Sequence, residues 1–479
     1  MANNTEPIIP IGEWNTGGLS FSKWSGYKNS LFKMTGLDPH SLPGLLQVEQ
    51  KMTKNSGATV DELCKVAVNA STGIRYWFSS ESGKIWQDKA GTWTLVHTTS
   101  ATGEDKCLGA AEYQGYIYWA TQSRLHRISV ASADGAAAWT ANAVIDWATF
   151  GITNTSFHPM HQPLDVLYIG DGNRVAQVDA GTFTANALDI KTPLVIKSLG
   201  SIGTDLLIGT YVADTVTATE ILRWNTWSVS YSNSDAIPEI GVNAFLKADN
   251  MVLVQAGNKG NIYSYDGQKL NLWGKIPGVY SSTATGEVYP DSVANREGQI
   301  LFGFSNITGN PADQGIYRIG RHSSNFQYIM DFPYPISERS GSAFVTTSLA
   351  IGAILVVGTD IYVSWKNGSS YGIDKLDASN KLDGAYFETR VMVVEREKLT
   401  NFVKALVSYA SLPASTTVDF YLDKNYAGYG SALTKVTDTQ RNIIETSNEG
   451  TEFSTLQLKV KITTSSNTAP QIESGGIFI

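Results

Sequence analysis

The chain has 479 residues, 42% of them apolar and only 17% charged, with a formal charge of −8. Charged residues make up about a quarter of an ordinary globular chain. Here their place is taken by Thr, Ser, Asn, Gly and an aromatic content of 11%, the composition of proteins built from many short strands and polar turns. Lys and Arg form no cluster, so tight binding to nucleic-acid phosphates is disfavoured.

Residues 1–52 show neither strand alternation nor a helical period. The start, MANNTEPIIPIGEWN, lacks the basic and apolar regions of a signal peptide, so synthesis in a cytoplasm without processing is expected. Pro7, Pro10, Pro39 and Pro43 interrupt the segment, yet it carries Trp14, Phe21, Trp24, Tyr27, Leu31, Phe32, Leu37 and Leu45. A disordered tail is poor in such residues. The segment reads as an extended arm that buries its aromatics on its own propeller or on a neighbouring subunit, and these eight residues are the candidate interface.

Residues 53–384 hold a recurring pattern at a loose spacing of roughly 45 residues. An apolar strand meets a turn rich in Gly, Asn or Asp and then a second strand carrying an aromatic. The copies start at Ile74, Gly115, Asp165, Asp205, Met251, Gln299 and Ala353. Turns such as Gly172-Asn173, Asp266-Gly267 and Asn367-Gly368 supply the positive φ that tight hairpins need. One hairpin cannot bury its apolar face, but a ring of about seven such units can. The pattern predicts an all-β fold with a β-propeller of about seven blades, six to eight being compatible. Cys64 and Cys107, the only cysteines, read as buried thiols rather than a disulfide framework. No apolar run approaches the roughly 20 residues of a membrane-spanning helix.

Residues 385–479 change texture. The stretches Glu388 to Glu395, Asn401 to Leu412, Thr416 to Lys424 and Ser454 to Ser465, with the terminal QIESGGIFI, alternate at period two. Five or so strands with no helix between them predict a small β-sandwich.

Several stretches suggest chemistry. DKAGTW, Asp88 to Trp93, resembles the Asp-box turn of sialidases with a spacing off by one, and such a turn is structural even when complete. A sialidase also needs three arginines converging on a carboxylate and a Tyr nucleophile. Arg75, Arg223 and Arg318 are available, but nothing in their spacing assembles them. His158 and His161 have H-x-x-H spacing, but Pro159 and Pro163 rule out the helix turn on which such metal pairs sit, and a rim loop is expected. DKLDASNKLDG, Asp374 to Gly384, misses the calcium-loop register and reads as a linker. Trp119 and Trp365 could stack on sugars or pack between blades. No nucleophile elbow, Walker loop or dinucleotide fingerprint is present. The residues therefore offer no catalytic, cofactor or metal site.

The segment from Gly17 to Met52, GGLSFSKWSGYKNSLFKMTGLDPHSLPGLLQVEQKM, resembles the start of virion proteins of tailed bacteriophages. The opening hairpin GIRYWFSSESGKIWQ is similar to theirs. The run from TVDFYLDKNYAGYG to the terminus resembles the closing sandwich of tail hub, or nozzle, proteins of short-tailed phages. The resemblance covers both ends and the layout, not the blades residue by residue. It implies a non-enzymatic ring subunit of the virion, six copies around the DNA exit channel, with itself and other tail proteins as partners. DNA would pass through without being bound, and the acidic balance suits a channel that must repel phosphates. A receptor- or carbohydrate-binding propeller on the tail and a sialidase-like hydrolase are the alternatives.

Overall fold

A computed structural model describes residues 9–478 except 21, 25, 27–28, 100–103, 136, 140–146, 213–218, 249–250, 278, 280–284, 309–314, 339–348, 394–403, 434–435, 438–441 and 447–452. The chain divides into two compact units, one of residues 54–314 and 345–375, the other of residues 1–53, 315–344 and 376–479.

The first unit is built on six four-stranded antiparallel sheets. Blade 1 runs through Val66–Asn69, Arg75–Phe78, Ile85–Lys89 and Thr92–His97. The first strands of blades 2 to 5 are Gly109–Tyr113, Met160–His161, Val195–Ile202 and Val242–Ala248. Blade 6 begins with Leu349–Val357 and continues with Asp360–Asn367. Between blades 5 and 6, Val293–Arg296 pairs with Gln299–Gly303. The first strands touch in a closed cycle, with this hairpin's first strand between those of blades 5 and 6. The fold is a β-propeller. Six of the seven sequence copies start at or just before the second strand of a blade or of this hairpin, and the seventh, from Ala353, starts within the first strand of blade 6.

Local chemistry explains the hairpins. Blade 1 turns at Ala90-Gly91, with φ of 50° and 90°, and blade 3 at Ala180-Gly181, with 46° and 78°. Two consecutive positive φ values match the right-handed twist of the flanking strands. The expected turns also form, with Gly172, Gly267 and Gly368 at positive φ.

The core is not central but layered between blades. Tyr76, Phe78, Ile117 and Trp119 pack blade 1 on blade 2. Trp77, Trp86, Tyr362 and Ile373 pack blade 6 on blade 1, so the ring closes on itself. Trp119 and Trp365 are buried, at 3% and 0% exposure, which settles them as packing residues. The blades approach closely: Ala353 N–H donates to the Cys64 carbonyl at 2.8 Å. A Cβ at Gly352 would lie 2.1 Å from that oxygen.

The second unit differs from expectation. Its C-terminal strands do not associate only among themselves. Ile472–Phe478 pairs with both Ile9–Ile11 and Lys404–Tyr409. Ala385–Thr389 lies between Leu31–Thr35 and Thr455–Thr463. The N-terminal segment, expected to lack strands, thus contributes them to both sheets, because partner strands supply a register that its own sequence does not advertise. Gly315–Gly320 and Ile329–Pro335, expected in the propeller, belong to this unit, and Thr35 aligns in parallel with Phe332.

Candidate ligand cavity

A cavity of about 350 Å³ opens in the propeller unit where several inner strands begin. Lys65 precedes the first strand of blade 1, Lys106 leads into blade 2, and Lys197 lies within the first strand of blade 4. Glu287 to Asp291, on the approach to the hairpin that follows blade 5, forms another part of the lining. The strands place these residues together because consecutive blades present equivalent positions to the middle of the ring.

The lysines differ in how they are satisfied. Lys197 Nζ lies 2.9 Å from Glu287 Oε2 and 2.7 Å from Asn243 Oδ1, so its charge is neutralised. Lys65 Nζ sits over the Tyr289 ring, 3.9 Å from its centroid, a cation–π contact. Neither Lys65 nor Lys106 has a carboxylate within ion-pair distance among the described residues. Burial draws the Lys65 ammonium below its usual range, and burial pushes Asp291 up to about 7. The site therefore presents lysines without a carboxylate at ion-pair distance and a carboxyl that burial favours in its neutral form. Cys107 also faces the cavity, and burial raises its thiol far from reactivity.

The residues that the sequence proposed for chemistry are not assembled. Arg75 is held by Asp88 at 2.8 Å and Arg223 by Asp205 at 2.6 Å, each across its own blade. Arg318, in the other unit, is held by Asp38, Glu49 and Asp331. Asp88 accepts the Gly91 N–H at 2.9 Å, so the Asp-box-like stretch is a buttressed hairpin. His158 is fully buried, not on a rim loop, and its ring nitrogens face the Gly170 and Gln122 carbonyls at 2.9 and 3.2 Å. A carbonyl closes off each ring nitrogen, so neither is open to a metal. His161 begins blade 3, and burial, with Lys247 nearby, brings it down to about 4. The expected linker from Asp374 is mostly strand, Ser370–Lys381, with Asp374 accepting from Trp365 Nε1 at 2.7 Å. Alternation broken by several charges hid that strand.

Of the eight interface candidates, Trp14, Leu31 and Leu37 are buried within their own unit. Trp14 Nε1 donates to the Glu473 carbonyl at 3.0 Å, and its ring packs on Phe387. Phe32 and Leu45 are half-buried. Trp24 is 54% exposed and stacks obliquely on Tyr426. Phe21 and Tyr27 lie outside the described residues. The cavity lysines escaped sequence reasoning. Their only signal was position, just ahead of or within an inner strand, and it needs the blade boundaries to be visible.

No family model matches the chain, and no curated protein matches it. Solved structures do. The extracellular domain of BT4673 from B. thetaiotaomicron is 14% identical over 76% of this chain, with a TM-score of 0.45. This chain spans only 43% of that one. A catalytically inactive virginiamycin B lyase from Staphylococcus aureus, solved with Quinupristin, is 13% identical. That match covers 68% of this chain and 99% of the lyase, with a TM-score of 0.47. The likeness is one of fold.

Proposed function

We propose that this chain is a non-enzymatic structural component of a phage virion, a tail hub or nozzle ring subunit forming part of the DNA exit channel. The observation that carries this reading is a stiff apolar tip on blade 4. Trp227 and Val229 are 88% and 97% exposed. Asn225 Oδ1 accepts from the Trp227 and Ser228 N–H groups at 3.1 and 2.9 Å, and Trp224 Nε1 donates to the Ser228 carbonyl at 2.7 Å. A loop tied this way holds its apolar residues in water at a cost that contact with a neighbour offsets. The exposed Trp24–Tyr426 pair adds a second such surface. Arg75 and Arg223 are each held by an aspartate of their own blade, which weighs against the sialidase-like alternative.

Sedimentation and particle imaging of the purified chain test the reading. A ring, or incorporation into a ring with other tail proteins, is expected. W227S combined with V229S should shift the population to monomer without unfolding it. A wild-type monomer at tens of micromolar that ignores tail partners would sink the proposal; typical transient interfaces form at about 1 μM.

A further inference from the structure

We infer that the propeller cavity binds a small organic monocarboxylate, gripped by Lys65 and Lys106. Four observations converge. The volume, about 350 Å³, falls in the usual range for small-molecule sites, roughly 300–1,000 Å³. Lys197 and Glu287 cancel one another at 2.9 Å, which leaves half-buried Lys65 and exposed Lys106 as the other lysines of the lining, with Asp291 as its second carboxyl. Lys65 is half-buried, and an ammonium withdrawn from water without an anion is costly unless a ligand supplies one. Phe157, Val288 and Pro290 give the remaining wall an apolar character.

The charge count selects the class. Lys65 and Lys106 supply at most two positive charges and share the lining with Asp291, so the site suits a monoanion better than a phosphate dianion. Lysine ammoniums and a protonated carboxyl are donors, and a carboxylate is an acceptor-only group that satisfies them together. The binding is independent of ring assembly, since every lining residue belongs to one propeller unit.

Calorimetric titration of the full chain with glucuronate, benzoate, glucose and inorganic phosphate tests the inference. Glucuronate and benzoate share the carboxylate and separate a hydroxylated from an apolar body. At least one is expected to bind more tightly than about 1 mM, with glucose and phosphate far weaker. K65Q and K106Q should each weaken it about tenfold or more, the loss of one charge-assisted hydrogen bond. K65R should restore most of the affinity, and K269Q, at an exposed turn, should leave it unchanged. Melting curves of the unliganded variants establish that they fold. The inference is overturned if neither carboxylate binds below that limit, if phosphate or glucose binds as well, or if affinity is indifferent to both lysine substitutions.

Discussion

The two units satisfy their buried charges in opposite ways. In the propeller, three arginine–aspartate pairs are short-range: Arg75 with Asp88, Arg223 with Asp205 and Arg174 with Asp171 are each made within one blade. In the other unit a single guanidinium, 3% exposed, collects carboxylates from distant stretches of chain. Arg318 reaches Asp38 at 2.7 Å, Glu49 at 2.8 Å and Asp331 at 2.5 Å. His40 adds a contact to Asp331 at 3.3 Å. Repetition lets each blade settle its polar groups locally. In this unit, assembled from separated segments, the polar junction lies where residues 1–53 meet residues 315–344.

Breaking that junction should have the largest effect. R318M leaves three buried carboxylates facing one another, and removing one partner of a buried pair costs about 3–5 kcal/mol. Burial alone would raise Asp38, yet Arg318 holds it down at about 2, while burial pushes Glu49 up with Asp38 and Asp331 adding to it. Equilibrium denaturation should show the loss. Adding D38N and D331N to R318M should recover part of it, because they remove the repulsion. A cost below about 1 kcal/mol would mean that the cluster is better solvated than its burial implies.

The corresponding cut in the propeller should be smaller. D88A removes a fully buried carboxylate that accepts from Gly91 and Arg75. It should cost about 2–3 kcal/mol, the usual value for a charged hydrogen-bond partner. The loss should register as earlier hydrogen exchange in the Ala90-Gly91 hairpin, since blades open in part independently. Exchange that rises equally across all blades would break the contrast between local and distributed pairing.

This contrast also explains what the sequence disclosed. The propeller was legible because each blade repeats an apolar strand, a turn and an aromatic strand, so periodicity survived unequal loops. Turns such as Gln114-Gly115 and Glu297-Gly298, with both residues at positive φ, lack the Asn or Asp that usually announces them. The strand at Leu31–Thr35 was hidden because its register comes from Ala385–Thr389, hundreds of residues away. The same holds for Arg318, which looked like one arginine among many. At the cavity, Lys65 and Asp291 have no local signature at all; only ring closure makes them neighbours.

The smallest expected effect concerns Asp291, a propeller carboxyl whose burial no arginine of its own blade offsets. Its carboxyl is raised from 3.8 to about 7, and burial is the cause. A folded value above the unfolded one means that the native state binds more protons between pH 4 and 7. Stability attributable to this group is therefore complete below about pH 4 and falls as pH rises to 7. D291N carries no charge at any pH and should match the wild type near pH 4, then exceed it by about 1–2 kcal/mol at pH 8. That is less than the full shift implies, because the side chain retains some access to the cavity and to water within it. Urea denaturation at both pH values measures the difference. If D291N and the wild type stay parallel from pH 4 to 8, Asp291 already has a partner in solution and the propeller leaves no charge unsettled there.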